Sequence, residues 1–360
     1  MAYGFGVVGC GMIARFHARA IEALPNAKLV AAFDRSQERV EKFAAEFGCR
    51  AYHDMDEFLR DAELQIVTVC TPSGAHLEPA VAAAEAGKHV VVEKPLEITL
   101  ERCDKIINAC DKAGVKLAAI FPSRFHSGPK ALKEAAAAGR FGKLTLGDAT
   151  VKWWRTQQYY DSGAWRGTWE LDGGGCLMNQ GIHSLDLLLW LMGPVREVAA
   201  FTDLLGHERI AVEDVAVAAV RFESGAVGVI EGSTATYPGY LKKIEISGLK
   251  GSAVVEEEDV IKWDFAEAAP GDAAILERMA ARKSTGGGAS DPSAIGFHGH
   301  RDIFAALLHS LDTGAPLEVD GREGRKAVEL ILAIYQSAET GQIVKLPLAS
   351  DPVLAARAKK

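Results

Sequence analysis

The sequence has no surplus of positive charge. Its 40 Lys and Arg residues are outnumbered by 48 Asp and Glu residues, which gives a formal net charge of −8 at pH 7, and no stretch concentrates the basic residues. Proteins that bind nucleic acid or anionic membranes need a basic face, because their cations replace the counterions of phosphates or meet the lipid headgroups. The charge balance therefore argues against nucleic-acid and membrane partners.

The sequence also lacks long apolar runs and paired cysteines. No run approaches the roughly 20 residues of a membrane span, and the start, MAYGFGVVGCG, shows no basic segment followed by an apolar one, so we expect no signal peptide. The six cysteines include no Cys-x-x-Cys pair, and several lie in apolar, strand-like stretches. Such cysteines are typical of buried thiols in a reducing compartment. We therefore expect a cytoplasmic globular protein.

The length of 360 residues suits two domains with separate cores. Residues 1–122 alternate short apolar runs with helical patterns, which is typical of a parallel sheet with crossover helices. Beyond this point, strand patterns separated by turn signals dominate. We predict an α/β chain with a Rossmann-type, doubly wound parallel sheet in residues 1–122, a C-terminal α+β domain with an open, mostly antiparallel sheet in residues 123–345, and a tail in residues 346–360.

The loop GCGMIA at residues 9–14 fits a dinucleotide-binding fingerprint. Gly9 permits a tight turn, Gly11 lets the backbone approach a pyrophosphate, and the helix that follows directs its N-terminus at the negative charge. The loop follows a strand pattern and opens a helix, which is the required context. We therefore place Gly9, Gly11, Met12 and Ile13 at a cofactor; the alternative is a glycine turn that binds nothing.

Asp34 ends the second predicted strand, where an acidic residue meets the ribose hydroxyls of adenosine. A carboxylate repels a ribose 2′-phosphate, so Asp34 favours NAD. Arg35 and Ser36 follow directly and would cradle that phosphate if Asp34 turned away. NAD is thus the expected cofactor, with NADP as the alternative.

Glu93-Lys94-Pro95 follows a strand that is predicted to be buried. Ligands of such sheets bind at the carboxyl ends of the strands. Lys94 is either a solvated charge in a turn or a group that hydrogen-bonds a substrate hydroxyl.

Three glycines at residues 173–175 lead into an apolar stretch, residues 176–192, that predicts one continuous helix. Asn179, His183 and Asp186 would then share one helical face. This polar stripe lines a cavity or caps neighbouring backbone. His183 is either a core histidine or an acid/base, since its ordinary pKa suits the transfer of an alcohol proton near neutrality.

Aromatic and arginine residues cluster between residues 153 and 169. Such a cluster is typical either of ordinary packing or of a carbohydrate site, in which rings stack on sugar C–H faces and arginines bind hydroxyls or carboxylates. The candidate substrate contacts in this stretch are Trp154, Arg155, Tyr159 and Tyr160.

His298 and His300 suggest a metal site, with His309 further along the helix. No third ligand lies nearby at a suitable spacing. We therefore expect no metal and place the His-x-His pair on the surface.

Taken together, these features resemble the Gfo/Idh/MocA family (glucose–fructose oxidoreductase, inositol dehydrogenase and relatives). The resemblance spans nearly the whole chain, and the order and spacing of its motifs are specific. Its motifs are the glycine loop, Thr71-Pro72 with His76, Glu93-Lys94-Pro95, Arg124-Phe125, Trp165-Arg166, the triple glycine with His183, and Glu245-Ile246-Ser247-Gly248.

The resemblance implies NAD(P)-dependent oxidation or reduction of a sugar, cyclitol or related polyol. It implies that Lys94 positions the reacting hydroxyl, that His183 is the acid/base, and that the peptide before Pro95 is cis. It also implies a homodimer or homotetramer formed through the open sheet. Further cofactor contacts implied are Thr71, Pro72, His76, Glu93, Lys94, Arg124, Trp165 and Arg166, and Arg124 is also a candidate substrate contact.

The sequence departs from the family pattern at Asn179, where many relatives carry Asp. An amide orients a hydroxyl or an imidazole but cannot raise the basicity of His183 as a carboxylate would. This variant is similar to members that act on nucleotide-linked amino sugars and glycosides. The rival functions are a glycosidase that uses tightly bound NAD for transient oxidation and a non-catalytic sensor of a sugar or dinucleotide.

Overall fold

A computed structural model describes residues 2–281 and 296–354 of the protein. The chain divides into two compact units. The first runs to Pro122 and also contains Gly296–Arg325, and the second begins at Ser123 and resumes at Lys326. Among the described residues, no helix is both long and apolar enough to cross a membrane.

The strands and helices are numbered in chain order. The strands are β1 Tyr3–Val8, β2 Ala27–Phe33, β3 Arg50–Tyr52, β4 Ile66–Val69, β5 His89–Val92, β6 Leu117–Ala119, β7 Leu144–Lys152, β8 Val195–Asp203, β9 Val215–Phe222, β10 Val227–Ser233, β11 Lys243–Gly248, β12 Gly251–Glu256, β13 Asp259–Phe265 and β14 Val344–Lys345. The helices are α1 Met12–Glu22, α2 Gln37–Phe47, α3 Met55–Leu59, α4 Leu77–Glu85, α5 Leu100–Ala113, α6 Ser127–Ala137, α7 Gln157–Asp161, α8 Ile182–Met192, α9 Asp272–Ala281, α10 His298–Thr313 and α11 Gly321–Thr340. Short 3₁₀ turns cover Ser73–Ala75 and Pro122–Phe125.

The sheet of the first unit is parallel, with its described strands in the order β3-β2-β1-β4-β5-β6. Because strands β2 and β4 flank β1 on opposite sides, the order reverses at β1. Ligands of such sheets bind outside the carboxyl ends of the strands at this reversal. The predicted Rossmann-type sheet is confirmed.

The chain returns to the first unit after the second has begun. The Ala119 amide donates to the carbonyl of Val319 at 3.1 Å, and the rings of Phe5 and Phe304 lie 5.4 Å apart. Residues 296–325 therefore pack in the first unit, whereas the sequence analysis assigned them to the second domain. The sequence predicts residues 123–345 as one continuous domain, because local patterns carry no signal for such a return.

The sheet of the second unit has its described strands in the order β13-β12-β11-β7-β10-β9-β8-β14. Strands β7 and β10 pair in parallel, and the other neighbours are antiparallel. Burial alternates along the strands, as in β9, where Ala216 and Ala218 are buried but Val217 is 46% exposed. A mostly antiparallel sheet with one covered and one open face is therefore confirmed.

The predicted single helix at residues 176–192 is wrong in one respect. Cys176–Gly181 forms a π-helical turn, and the α-helix α8 begins only at Ile182. The wider turn directly follows the three glycines, and π-turns are frequent at functional sites. The predicted tail, residues 346–360, begins in contact with the second unit, because the Leu346 amide donates to the Arg196 carbonyl at 2.9 Å. Residues 355–360 of this tail lie outside the described residues.

Candidate active site

The glycine loop joins β1 to α1 at the reversal of the parallel sheet. Gly9 has φ +89°, and a Cβ there would approach the backbone of Cys70 to 3.0 Å, so glycine is required. A Cβ on Gly11 would meet no atom of the described residues within 4 Å. Gly11 also precedes α1 without giving it a side-chain cap. The first amides of this helix, which Met12 and Ile13 begin, thus fit an anion such as a pyrophosphate.

Asp34 follows β2 and braces the glycine loop. It is 7% exposed, and its carboxylate oxygens accept hydrogen bonds from the amides of Cys10 and Ser36, each at 2.9 Å. The carboxylate is thereby fixed beside the loop, while the neighbouring Arg35 is exposed. This arrangement fits the ribose hydroxyls of NAD better than an added phosphate.

His76 connects the end of β4 to the turn after β5. Its buried imidazole lies 3.0 Å from the Thr71 carbonyl through Nε2 and 2.9 Å from the Pro95 carbonyl through Nδ1. The Thr71 hydroxyl donates to the Ala75 carbonyl at 2.8 Å. Thr71, Pro72 and His76 therefore form a braced loop at the sheet edge, with Thr71 and Pro72 half-buried.

The half-buried Lys94 follows β5, and the Lys94–Pro95 peptide is cis, as the resemblance implied. The Lys94 amide donates to Glu93 Oε2 at 3.0 Å. The other oxygen of Glu93, Oε1, lies 2.8 Å from His17 Nε2 and 3.1 Å from His300 Nε2. His300 is only 4% exposed, so the expectation that His298 and His300 both lie on the surface is wrong for His300.

The protonation of this cluster follows from its contacts. Burial would raise the pKa of Glu93, but the hydrogen bonds from His17 and His300 outweigh it and hold that pKa well below its usual range. Burial lowers the pKa of His17. Ligand-type atoms of His17, Glu93 and His300 lie within 4.8 Å of one another, which is the spacing of a metal site, although no metal was expected from the sequence. The distances from Glu93 to the two rings also fit a charged carboxylate with imidazole donors.

In the second unit, the triple glycine is required by close approaches. A Cβ on Gly175 would lie 1.7 Å from the Glu213 carbonyl oxygen, and one on Gly174 would lie 2.1 Å from the Tyr335 hydroxyl. Glu213 itself caps the π-turn, since its carboxylate accepts from the amides of Gly175 at 2.8 Å and Leu177 at 3.0 Å. The Tyr335 hydroxyl donates to the same carboxylate at 2.9 Å. Sequence reasoning missed Glu213.

Asn179 lies in the π-turn and bonds to a carboxylate that the sequence analysis did not single out. Its Nδ2 donates to Asp172 Oδ1, and its Oδ1 accepts from Gln180 Nε2 at 3.1 Å. Asp172 is 2% exposed and also accepts from the Gly167 amide at 2.8 Å. The signal in the sequence that could have indicated Asp172 is its position directly before the three glycines.

His183 is half-buried in the first turn of α8, and Asp186 lies one turn later. Asp186 forms a two-pronged ion pair with Arg124, with distances of 2.6 Å and 2.8 Å. Both residues are almost fully buried, and the Arg124 guanidinium lies 5.6 Å from the centre of the Trp190 ring. Arg124, expected at the cofactor and substrate, is thus held in a buried ion pair within its unit.

The aromatic stretch separates into packing and accessible residues. Arg155 is 2% exposed and donates to the Trp154 carbonyl, while the Tyr160 hydroxyl, in a ring 5% exposed, bonds to Thr234 Oγ1 at 2.7 Å. Arg155 and Tyr160 therefore support the packing interpretation. The half-buried Trp154 meets the exposed Tyr237 edge to face, 5.6 Å between ring centres.

A polar network leads from this stretch to Asn179. The Tyr159 hydroxyl accepts from Arg166 Nη1 at 2.6 Å and from Gln180 Nε2 at 2.8 Å. The Arg166 guanidinium stacks between Tyr159, at 4.4 Å, and Trp165, at 4.6 Å. Gln180 links Tyr159 to Asn179, so the residues with partly accessible polar groups form one connected surface.

Comparisons with known proteins agree with this arrangement. Residues 3–121 match the model of an oxidoreductase family with an NAD-binding Rossmann fold, GFO_IDH_MocA, and residues 130–254 match the GFO/IDH/MocA C-terminal domain. The chain is 31% identical to the myo-inositol 2-dehydrogenase of Thermotoga maritima over 355 residues, 95% of this chain and 98% of the relative. It is 25% identical to the inositol 2-dehydrogenase of Rhizobium meliloti, over 95% of this chain and 99% of the relative.

Among solved structures, the WlbA dehydrogenase from Bordetella pertussis, in complex with NADH and UDP-GlcNAcA, is similar with a TM-score of 0.89 and 37% identity. That similarity covers 96% of this chain and 98% of the other. Both halves of the chain thus match the same family, in the expected order. The chain belongs to the Gfo/Idh/MocA family of oxidoreductases with an NAD-binding Rossmann fold.

Proposed function

We propose that the protein catalyses NAD-dependent hydride transfer at a ring carbon that carries a hydroxyl, in a sugar, a sugar derivative or a cyclitol. The observation that supports this most directly is the position of Lys94, at the carboxyl end of β5 in a sheet whose glycine loop fits a dinucleotide. Lys94 belongs to the first unit and His183 to the second. The named relatives are dehydrogenases of inositols, and the WlbA structure holds NADH and a UDP-linked sugar acid.

The cofactor would be held by the first unit. Gly9 and Gly11 leave the backbone open to a pyrophosphate at the N-terminus of α1, and Asp34 offers its carboxylate to a ribose. When bound, NAD supplies the hydride acceptor. Asp34 disfavours NADP because the 2′-phosphate would meet a fixed carboxylate.

The side chains divide the proton chemistry. His183 would accept the hydroxyl proton during oxidation and return it during reduction, since an imidazole exchanges protons near neutral pH. The Lys94 ammonium would orient the same hydroxyl and stabilise alkoxide character as the C–H bond breaks. Asn179, fixed by Asp172, would orient the substrate or the imidazole without adding charge.

The substrate class that we favour is a nucleotide-linked sugar. The 37% identity to a dehydrogenase whose structure holds UDP-GlcNAcA is higher than the 31% identity to an inositol dehydrogenase. Asn179 also departs from the aspartate of many family members. Arg166 and Tyr159 offer a charged and an aromatic surface suited to an anionic sugar.

The test is a turnover screen with NAD and NADP over UDP-GlcNAcA and other UDP-sugars, inositols, monosaccharides and glycosides. We expect Lys94→Ala and His183→Ala each to lower kcat/KM by about 10²- to 10⁴-fold, the usual contribution of a positioned acid, base or charge. The exposed residues Lys112 and His309 provide matched controls as Lys112→Ala and His309→Ala. If either active-site variant stays within about tenfold of the parent, its assigned role is wrong. Nitrophenyl-glycoside cleavage without net NADH formation would instead identify the transient-oxidation glycosidase.

We also propose that the open face of the second sheet joins copies of this chain. Its apolar side chains come from neighbouring strands in register, with Phe201 opposite Val217 and Leu146 opposite Val227. Phe201 is 84% exposed. A row of exposed apolar side chains on neighbouring strands is typical of an interface. Phe201→Glu should therefore lower the molecular mass in solution, measured by light scattering, and an unchanged mass would exclude this face.

A further inference from the structure

The buried cluster next to Lys94 has a hydrogen-bond pattern that fits an ionised Glu93 with two imidazole donors. Glu93 is ionised, so its Oε1 only accepts, and the two imidazole nitrogens beside it, His17 Nε2 at 2.8 Å and His300 Nε2 at 3.1 Å, must both donate. His17 is fully buried, and its other nitrogen, Nδ1, lies 2.7 Å from the Thr68 hydroxyl. In a neutral ring that nitrogen accepts, so Thr68 donates to it.

The second oxygen of Glu93 connects the cluster to Lys94. It accepts the Lys94 amide at 3.0 Å, so the carboxylate holds the peptide from which the lysine side chain departs. On the other side of Lys94, the Pro95 carbonyl lies 2.9 Å from His76 Nδ1. The backbone is therefore tied to buried side chains both before and after Lys94.

We propose that His17 and His300 are positioning residues for catalysis: they hold the Glu93 carboxylate, which in turn holds the backbone of Lys94. The proposal rests on the proposed function of Lys94. Three N–H donors for one buried carboxylate leave little freedom of rotation, because a lost donor would leave a buried charge incompletely satisfied. A group that must meet a substrate hydroxyl depends on such support, since a displacement of about 1 Å lowers rates by up to about 10²-fold.

The first test examines the proton assignment without any turnover. In protein labelled with ¹⁵N-histidine, two-bond ¹H–¹⁵N spectra report which ring nitrogen carries the proton. We expect His17 and His300 to carry it on Nε2, with the signals assigned from His17→Gln and His300→Gln spectra. A proton on Nδ1 of either ring, with Nε2 bare, would overturn the arrangement. So would stoichiometric binding of Zn²⁺ that removes the Nε2 protons, because the cluster would then be a metal site.

The second test separates positioning from packing. His300→Phe removes the N–H donor but keeps a ring, whereas His300→Gln keeps an N–H at the position of Nε2. We expect His300→Phe to lower kcat about 10- to 100-fold, with KM and the Kd for NADH within about threefold, and His300→Gln to recover most of kcat. Equal losses in the two variants would refute the proposal.

Phe304→Leu is the matched control for stability. Phe304 lies on the same helix, α10, with its ring 5.4 Å from that of His17, and it makes no hydrogen bond to Glu93. It should lower the unfolding midpoint without lowering kcat. If it reproduces the kinetic loss of His300→Phe, the effect is one of packing and the proposal fails.

Lys94→Met distinguishes this proposal from the proposed function. If Lys94→Met turns over like the parent, the assigned role of Lys94 is wrong, whatever the histidine spectra show. If Lys94→Met is inactive and His300→Phe is normal, only the positioning role of the histidines is wrong. A low kcat in both, restored by His300→Gln, supports both.

Discussion

Each compact unit contains a buried glutamate that accepts hydrogen bonds from the segment carrying a candidate catalytic residue, Lys94 in the first unit and Asn179 in the second. The two glutamates differ in their other donors. Glu93 in the first unit accepts from two imidazoles and from the Lys94 amide. Glu213 in the second unit accepts from two amides at the start of the π-turn and from the Tyr335 hydroxyl. Both carboxylates are buried and hydrogen-bonded, yet their pKa values shift in opposite directions.

The difference lies in the electrostatics of the donors. Burial raises the pKa of both carboxyls, but hydrogen bonds from His17 and His300 reverse the effect at Glu93 and hold its pKa well below the usual range. At Glu213 burial prevails and raises the pKa to about 7. Glu93 is therefore a fixed negative charge at neutral pH, whereas Glu213 changes protonation there. The Lys94 loop should be insensitive to pH near neutrality and the start of the π-turn sensitive to it.

The largest effect is expected from a substitution that disrupts the hydrogen bonds of Glu213 through a steric clash. In Gly175→Ala the new Cβ would meet the Glu213 carbonyl oxygen at 1.7 Å, so the glutamate and its cap must move. We expect the free energy of unfolding to fall by about 3 kcal/mol or more, as measured by urea denaturation.

Gly11→Ala is the control in the first unit, because its Cβ would meet no described atom within 4 Å. It should leave the free energy of unfolding within about 1 kcal/mol of the parent and weaken NADH binding, measured by fluorescence titration. Similar destabilisation by both substitutions would show that the close approach at Gly175 is not what requires glycine there.

The dependence of stability on pH should differ in sign between the two glutamates. With a folded pKa of about 7 against the ordinary glutamate value of 4.5, Glu213 holds its proton more tightly when folded, so its contribution to stability is present below about pH 4.5 and is lost as the pH rises through 7. At about 1.4 kcal/mol per pKa unit, the loss is roughly 3 kcal/mol. Glu93 has a lowered pKa, so its contribution is present above the usual carboxyl range and is lost as the pH falls.

Urea unfolding between pH 4 and 8 measures both effects. Glu213→Gln should remove the fall in the free energy of unfolding between about pH 4.5 and 7. Glu93→Gln should leave that fall in place but lower the free energy of unfolding at neutral pH. If the decline persists in Glu213→Gln, another group is responsible for it.

The parts of the site that could be predicted from the sequence are those made by contiguous residues. The glycine loop, Asp34 and Lys94 each follow a parallel strand, and the carboxyl ends of such strands meet at one edge of the sheet. The local pattern of strands and helices therefore predicted their positions after these strands, together with the α/β fold of both units, while their roles stay a prediction.

The parts that were missed depend on partners distant in the chain. Glu213 is 38 positions from Gly175, whose amide donates a hydrogen bond to it, and His300 is 207 positions from Glu93. A lone histidine at a helix start has the same local signal whether it faces solvent or a buried carboxylate. The π-turn is similar, because Glu213, which accepts the hydrogen bonds of its first amides, is distant in the chain.

The smallest effect is expected from Tyr159→Phe, which tests whether the polar network of the second unit has the same importance as its glutamate cap. The substitution removes the acceptor of Arg166 Nη1 and Gln180 Nε2 and keeps the ring on which the Arg166 guanidinium stacks at 4.4 Å. A loss of about 1 kcal/mol corresponds to a rise in substrate KM of roughly fivefold, with the Kd for NADH unchanged. A fall in kcat with constant KM would instead mean that the network acts through Asn179 on the chemical step, because Gln180 is the link between Tyr159 and that amide.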